Sequence, residues 1–325
     1  MKIKFPLFFF LLPLVFAELQ VGFYKSTCPQ AESIVQQVIQ TEFCRDPSIT
    51  AALLRMHFHD CFVTGCDASI LIDSTRNKPS EKAAGPNLTV RGFEVIDNAK
   101  KRLEAACPSI VSCADIITLA TRDAIALAGG PNYTLPTGRR DGLVSNPDDV
   151  LLPGPGISVS GALQVFTAKG MALSEMVTLL GAHTVGIAHC FFFDYRLSNY
   201  EGSGAPDPSM DPGLVAELNV TCARNENATA FLDQSTSLTM DNEYFKQILL
   251  RKGILQIDQE LALDRSTAGI VSGFASDRIV FQRSFAKAMR KLGSVQVLVG
   301  KAGEIRKNCR VFNTATKSTK EIRAF

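Results

Sequence analysis

The 325-residue chain has no tryptophan and only four histidines, and its charges nearly cancel. Without tryptophan, its intrinsic fluorescence comes from tyrosine. Lysine and arginine number 34 against 32 aspartate and glutamate, a formal net charge of +2. Residues 1–17 hold two of the lysines and no acid, so the rest of the chain has 34 − 2 = 32 basic residues against 32 acidic ones. This balance argues against nucleic acid as the main partner.

Long apolar runs are missing after residue 17, so no later stretch resembles a membrane span. Residues 1–17 place Lys2 and Lys4 before a Phe- and Leu-rich run that ends in Ala17, which is typical of a secretory signal. The run is too short to cross a bilayer comfortably. We therefore expect no membrane partner, secretion to the cell exterior with the vacuole as the alternative, and a mature chain that begins near Glu18.

Nine cysteines follow this segment. Behind a secretory signal they indicate disulfides formed in an oxidising compartment. Eight cysteines can pair in roughly a hundred ways, so the residues alone leave the pairing open. The N-x-S/T sequons, which predict a glycoprotein, lie at Asn87, Asn132, Asn219 and Asn227.

Residues 55–69 carry an unusual density of reactive side chains. They follow the apolar run 49–54, which contains no helix breaker and predicts a helix. In such a helix Arg55 and His59 stand four residues apart on one face, whereas His57 points elsewhere. A fixed cation beside a neutral imidazole suits a reaction in which a proton leaves one atom while negative charge builds on its neighbour. Peroxide cleavage is such a reaction, although an Arg and a His one turn apart are more often surface residues.

Hard oxygen atoms follow on the same segment. The side chains of Asp60, Asp67 and Ser69, with the carbonyls of Val63 and Gly65, lie within ten residues of one another. Calcium prefers ligands of this kind. A solvated acidic loop is the alternative, but such a loop does not ordinarily adjoin an Arg-x-x-x-His helix face.

The C-terminal half contains a second oxygen cluster. Asp233, Thr236, Thr239 and Asp241 fall within nine residues and again offer calcium ligands. Before them, a helical segment ends in small residues beside His183. Small residues let a flat ligand approach the backbone, although a lone histidine at a helix end is more often a surface residue.

The run from Arg55 to Ser69 resembles the distal haem motif of the plant secretory peroxidases, also called class III. The resemblance extends along nearly all of the chain after residue 20, and the string Gly181 to Gly186 is similar to the family's proximal motif. The resemblance implies an all-α, mainly helical fold with minimal β structure. Residues 18–312 would form two lobes around haem b, and residues 313–325 a short polar tail.

The resemblance also implies roles for individual residues. His59 would act as acid and base on hydrogen peroxide, Arg55 would stabilise the developing charge, and Asn87 would accept a hydrogen bond from His59. Phe58 would shield the iron so that donors react at the exposed haem edge. Pro153 would dock aromatic donors through its carbonyl, and phenolic reductants and a monomer fit the family.

On the proximal side, the resemblance makes His183 the fifth ligand of the haem iron. Asp258 would accept the other imidazole N–H, which strengthens the ligand and lowers the iron reduction potential. Two calcium ions are implied. The distal ion would bind Asp60, Val63, Gly65, Asp67 and Ser69, with Glu81 reached through water. The proximal ion would bind Thr184, Asp233, Thr236, Thr239 and Asp241.

The disulfides implied by the resemblance are Cys28 with Cys107, Cys61 with Cys66, Cys113 with Cys309, and Cys190 with Cys222. Cys44 is left over, and we expect it to be a buried or half-buried free thiol. The family also implies a buried ion pair between Asp115 and Arg139, with a structural role.

The chain departs from the family where many members hold the haem propionates. Ser48 and Ala52 replace an Arg and a Ser, and Leu180 stands where a Ser commonly precedes Gly-Ala-His. We therefore expect weaker haem anchoring, with Thr89 still able to reach a propionate.

Two other classes of protein stay open. An inactive calcium-binding wall glycoprotein would keep the disulfides, sequons and oxygen clusters, but the intact Arg55, His59 and His183 speak against it. An intracellular peroxidase of the ascorbate type would lack the signal, the cysteines and the calcium loops.

The Asn87 sequon conflicts with the implied role of Asn87 behind His59, because a glycan needs an outward-facing side chain. We predict that Asn87 carries no glycan in the secreted protein. Peptide mass spectrometry before and after enzymatic deglycosylation measures this, and a glycopeptide containing Asn87 would remove it from the site.

Overall fold

The computed structural model describes residues 18–225 and 227–313. Within these ranges the chain forms twelve α-helices and two small sheets, so the predicted mainly helical class is confirmed. None of the helices described is long and apolar enough to cross a bilayer. The expected signal, residues 1–17, and residues 314–325 of the expected tail lie outside the described residues.

The first part of the chain forms four long helices. They are α1 (Ala31–Arg45), α2 (Ile49–Val63), α3 (Phe93–Ala106) and α4 (Cys113–Leu127). Helices α1, α2 and α3 all pack against α4. Their buried apolar side chains form a first core, which includes Val38, Leu53, Ile96 and Ile117.

The second part forms eight shorter helices. They are α5 (Val159–Ala168), α6 (Leu173–Leu180), α7 (Tyr195–Ser198), α8 (Pro212–Cys222), α9 (Glu243–Leu249), α10 (Gln256–Leu263), α11 (Ala268–Ser276) and α12 (Arg278–Leu292). Their second core is rich in aromatic rings, among them Phe245, Phe274, Phe281 and Phe285. Helix α6 packs on α12, and α9 packs on α10 and α11.

Two short antiparallel pairs complete the fold. β1 (Gln20–Val21) pairs with β2 (Pro136–Thr137), with Gln20 opposite Thr137. β3 (Ile187–His189) pairs with β4 (Thr229–Phe231), with Ile187 opposite Phe231. Each pair joins segments far apart in the sequence.

Helix α2 lies between the two cores. Leu53 and Met56 belong to the first core, whereas Leu54 and Phe62 belong to the second. A helix with apolar side chains on most sides is largely buried, so His57, His59 and Asp60 lie inside the protein, whereas Arg55 and Phe58 are half-buried.

Four disulfides close the fold: Cys28–Cys107, Cys61–Cys66, Cys113–Cys309 and Cys190–Cys222. These are the pairs that the family resemblance implies. Cys44 is unpaired and exposed in the last turn of α1, so the expectation of a buried or half-buried thiol was wrong. The buried side of α1 carries Ala31, Val35, Val38 and Ile39, and Cys44 falls outside that stripe.

A buried ion pair ties the first core to the end of α12. Arg139 Nη1 lies 2.7 Å from Asp115 Oδ1, and both side chains are fully buried. Asp115 Oδ2 also accepts hydrogen bonds from the Tyr24 hydroxyl (2.6 Å) and the Gly138 N–H (2.7 Å). Arg139 Nε donates to the carbonyl of Gly293 at 2.6 Å. This is the ion pair that the resemblance implies.

Replacing Asp115 should be costly, because it leaves the Arg139 cation buried without its partner. For Asp115→Ala we predict a loss of about 3–5 kcal/mol in the free energy of unfolding. Asp73→Ala is the control: Asp73 pairs with Lys82 at the surface, with 53% of its side chain exposed, so its loss should cost less than about 1 kcal/mol. Urea unfolding with intact disulfides measures both, and equal losses would show that the buried pair has no special weight.

Candidate active site

His59 is oriented by an amide from a neighbouring turn. Its Nδ1 lies 2.6 Å from Asn87 Oδ1, and Asn87 Nδ2 donates to the backbone carbonyl of Glu81 at 2.8 Å. Because that bond makes Oδ1 the free acceptor of the amide, the His59 proton resides on Nδ1. Nε2 then carries the lone pair. Asn87 is only 2% exposed and faces inward, as its predicted role requires.

Burial keeps His59 neutral. It lowers the pKa of His59 to about 4, and the nearby charge of Arg55 acts in the same direction, against a smaller opposing effect of the Asn87 hydrogen bond. His57, on another side of α2, is also buried, and its pKa is lowered to about 3 by burial and by Arg139. At neutral pH His59 is therefore a base with an available lone pair.

Arg55 is held beside His59 by the loop that carries Asn87. Its Nη1 donates to Thr89 Oγ1 at 2.9 Å, and its Nη2 donates to the carbonyl of Pro86 at 2.8 Å. Thr89, expected to reach a propionate, thus accepts a bond from Arg55. Ser48 lies elsewhere: it bonds to Asp46 and Arg91 in an exposed network.

Two further predicted residues lie on separate elements, Phe58 on α2 and Pro153 in a loop. The Phe58 ring lies 6.0 Å from the His59 ring and 4.3 Å from the Phe62 ring, centroid to centroid. Pro153 is half-buried in the loop before α5. That loop is fastened to the start of α10, because the Ile257 N–H donates to the Pro155 carbonyl at 3.1 Å.

His183 lies in a short 3-10 turn, Gly181–Thr184, directly after α6. Its Nδ1 lies 2.8 Å from Asp258 Oδ1 on α10. Burial lowers the pKa of His183, but the charge and the hydrogen bond of Asp258 together raise it by more than burial lowers it. The net shift is therefore upward. Asp258 accepts a hydrogen bond from the Nδ1–H group, and Nε2 remains available to bind a ligand.

Gly181, the first residue of this turn, has a different structural role from the predicted one. A Cβ at Gly181 would lie 2.7 Å from the rings of Phe245 and Phe281. Gly181 is therefore small because aromatic rings of the second core pack against it. The interpretation that its size admits a flat ligand was wrong for this position.

Sequence reasoning missed Tyr244, which joins this site. Its hydroxyl donates to Asp258 Oδ1 at 2.9 Å, and its ring stands nearly perpendicular to the His183 imidazole, 6.1 Å away. Tyr244 is 1% exposed. Only its position three residues after Asp241 marked it in the sequence, and that spacing gives no sign of a contact with Asp258.

The two histidines belong to one site. Helix α2 contacts the 3-10 turn, and the Arg55 charge is close enough to lower the pKa of His183. The His183 side chain is 29% exposed while Asp258 behind it is 1% exposed, so the outer edge of the imidazole borders open space. A neutral imidazole backed by a carboxylate is the donor set that haem iron takes in peroxidases. The residues present fit a haem.

Three of the predicted distal ligands are buried carboxylates, those of Asp60, Asp67 and Glu81. Asp60 Oδ1 and both carboxylate oxygens of Glu81 are buried without a hydrogen-bond partner among the described residues. Burial, together with Asp67 and Glu81, raises the pKa of Asp60 well above its usual range. Burial also raises the pKa of Glu81 to about 8. Unpartnered oxygens and mutual repulsion fit a hard divalent cation such as calcium.

The other distal candidates lie in the segment 63–69 that follows Asp60. Asp67 Oδ1 accepts the Ser69 N–H at 3.0 Å, and Gly65 provides the sharp turn with φ of 108°. The Val63 carbonyl accepts a hydrogen bond from Lys169 Nζ at 2.8 Å. Its second lone pair stays available for an ion.

The proximal candidates also converge. The Thr184 hydroxyl lies 3.0 Å from Asp233 Oδ2 and 3.2 Å from Asp241 Oδ1. The Thr236 hydroxyl contacts the same two oxygens at 3.1 and 3.2 Å. Thr239 joins them through its backbone N–H, which donates to the Thr236 carbonyl at 2.8 Å. Two carboxylates and two hydroxyls around one point fit calcium.

We predict that Asp60→Asn weakens calcium binding at the distal cluster by about tenfold or more, since ligand charge sets calcium affinity. Isothermal titration of chelator-stripped protein measures it. Asp148→Asn, at an exposed position, should leave both calcium affinities unchanged. Equal affinities in Asp60→Asn and the parent protein would show that Asp60 binds no ion.

Comparisons with known proteins agree on one family. A sequence model described as "Peroxidase" matches residues 35–277. Peroxidase 57 of Arabidopsis thaliana is 61% identical over 305 residues, covering 94% of this chain and 96% of the relative. Peroxidase 44 and Peroxidase 28 of the same plant are 57% and 58% identical, with 95% and 94% of this chain covered and 97% of each relative.

Proposed function

Since the chain belongs to the plant secretory (class III) peroxidase family and is an oxidoreductase acting on hydrogen peroxide, we propose that His59, Arg55 and His183 carry its reaction at a bound haem b. The observation that supports this assignment is the neutral His59. Asn87 fixes its tautomer and Arg55 stands one turn away, and α2 contacts the turn of His183.

A bound haem would supply the redox chemistry, the exchange of electrons between hydrogen peroxide and reducing donors. His183 Nε2 would hold its iron. Asp258 keeps the imidazole in the tautomer that leaves Nε2 free, and its negative charge makes His183 a stronger electron donor.

His59 moves the proton that the reaction requires. Its Nε2 would take a proton from one oxygen of hydrogen peroxide and return it to the other oxygen, which leaves as water. The Arg55 guanidinium stabilises the negative charge that develops across the O–O bond. Asn87 holds the Nδ1 proton throughout, so Nε2 is always the atom that exchanges.

Donor specificity follows from the apolar surroundings. Phe58 covers the side of the site next to His59, which directs reductants to an exposed haem edge. We propose phenolic donors, docked through the Pro153 carbonyl, and a monomeric enzyme. Leu152 beside Pro153 packs on the second core and gives the docking loop a fixed base.

Two calcium ions complete the proposed enzyme, one in each oxygen cluster. Secretion behind the signal of residues 1–17 accounts for the four disulfides. Asn132, Asn219 and Asn227 are exposed, so these three sequons are the ones open to glycosylation. The alternative of an inactive calcium-binding wall glycoprotein has no observation in its favour.

We predict that His59→Ala slows the reaction with hydrogen peroxide by several orders of magnitude. The loss should exceed the ~10²- to 10⁴-fold typical of a general base, because the same imidazole also returns the proton. Stopped-flow absorbance of the haem-loaded protein, mixed with one equivalent of peroxide and then with guaiacol, measures the step.

His189→Ala, on β3, is the matched control and should react at the parent rate. A near-normal rate for His59→Ala would refute the assignment of His59. A folded parent protein that takes up no haem would refute the proposed reaction itself and would point to the replacements at Ser48, Ala52 and Leu180.

A further inference from the structure

One carboxylate oxygen accepts two hydrogen bonds behind the proximal imidazole. Asp258 Oδ1 lies 2.8 Å from His183 Nδ1 and 2.9 Å from the Tyr244 hydroxyl. Asp258 and Tyr244 are each 1% exposed, so bulk water does not compete for this oxygen. The two donors therefore share the negative charge of a single atom.

The geometry makes this sharing persistent. Tyr244 lies on α9 and Asp258 on α10, and these helices pack together. The Tyr244 ring is fixed at its edge by Phe245, with centroids 5.0 Å apart, and it meets the His183 ring at 85°. The Tyr244 hydroxyl oxygen therefore stays within hydrogen-bond distance of Asp258 while α9 and α10 keep their packing.

We infer that Tyr244 is a positioning residue that moderates the hydrogen bond between His183 and Asp258, and thereby sets how strongly the imidazole donates electrons to the iron. The inference rests on the proposed function, because it takes the iron to be bound at His183. It adds to that function a residue that contacts neither peroxide nor donor.

The direction of the effect follows from the shared oxygen. A carboxylate oxygen that accepts a phenolic O–H pulls less strongly on a second donor, because part of its charge is already neutralised. Without the hydroxyl, Asp258 would polarise the His183 N–H more fully. The imidazole would then favour the ferric over the ferrous state more strongly.

The test is Tyr244→Phe, which removes the hydroxyl and keeps the ring in the core. We expect the Fe(III)/Fe(II) midpoint potential to fall by an amount that changes the ferric-to-ferrous ratio up to tenfold, which is about 59 mV for one electron. The iron–imidazole stretching frequency of the ferrous protein, measured by resonance Raman, should rise.

Tyr195→Phe is the matched control. It also removes a hydroxyl that bonds to α10, since Tyr195 Oη donates to Gln256 Oε1 at 2.9 Å, but it does not touch Asp258. Its potential should equal that of the parent protein. In an Asp258→Asn background, Tyr244→Phe should shift the potential much less, because the hydroxyl acts through the charge of Asp258.

Three results would overturn the inference. An unchanged potential in Tyr244→Phe would leave Tyr244 as a packing residue only. A higher potential would mean that the hydroxyl holds Asp258 in place rather than weakening its pull. An equal shift in the Asp258→Asn background would show that the effect bypasses the carboxylate. Failure of the parent protein to bind haem is a separate result, which would refute the proposed function and the inference together.

Discussion

The position of helix α2 between the two cores is the constraint on which this structure depends. The helix supplies apolar side chains to both cores, so a buried polar side chain on it is destabilising unless it finds a partner inside the protein. Thr50 donates to the Ala124 carbonyl at 3.2 Å, and His59 pairs with Asn87. Asp60 Oδ1 and both ring nitrogens of His57 have no hydrogen-bond partner among the described residues, so the chain meets this requirement only in part.

The two active-site histidines show how an acceptor selects a role. His59 faces an amide, which orients the ring without adding charge, and burial leaves it a weak base. His183 faces a carboxylate, whose charge raises the pKa of the ring above its usual value despite burial. In the proposed function, the same side chain would therefore be a proton carrier beside Asn87 and a metal ligand beside Asp258.

Local pattern predicted the helix that carries Arg55 and His59, whereas the disulfide pairs and most site roles followed from the family resemblance. The proximal oxygen cluster also draws on a distant segment, because Thr184 lies 49 residues before Asp233. What the sequence did not reveal depends on contacts between distant segments. Tyr244 meets Asp258 only because α9 packs on α10, and Lys169 reaches the Val63 carbonyl across 106 positions.

The position of Cys309 has a consequence for biosynthesis. Its partner Cys113 opens α4, the helix on which α1, α2 and α3 pack, and both sulfurs are buried in the first core. A ribosome makes the chain from its N-terminus. The Cys113–Cys309 disulfide can therefore form only after the chain has grown by 196 residues beyond Cys113. Until Cys309 is made, Cys113 lacks its native partner, so this disulfide cannot guide the early packing of α1, α2 and α3 on α4.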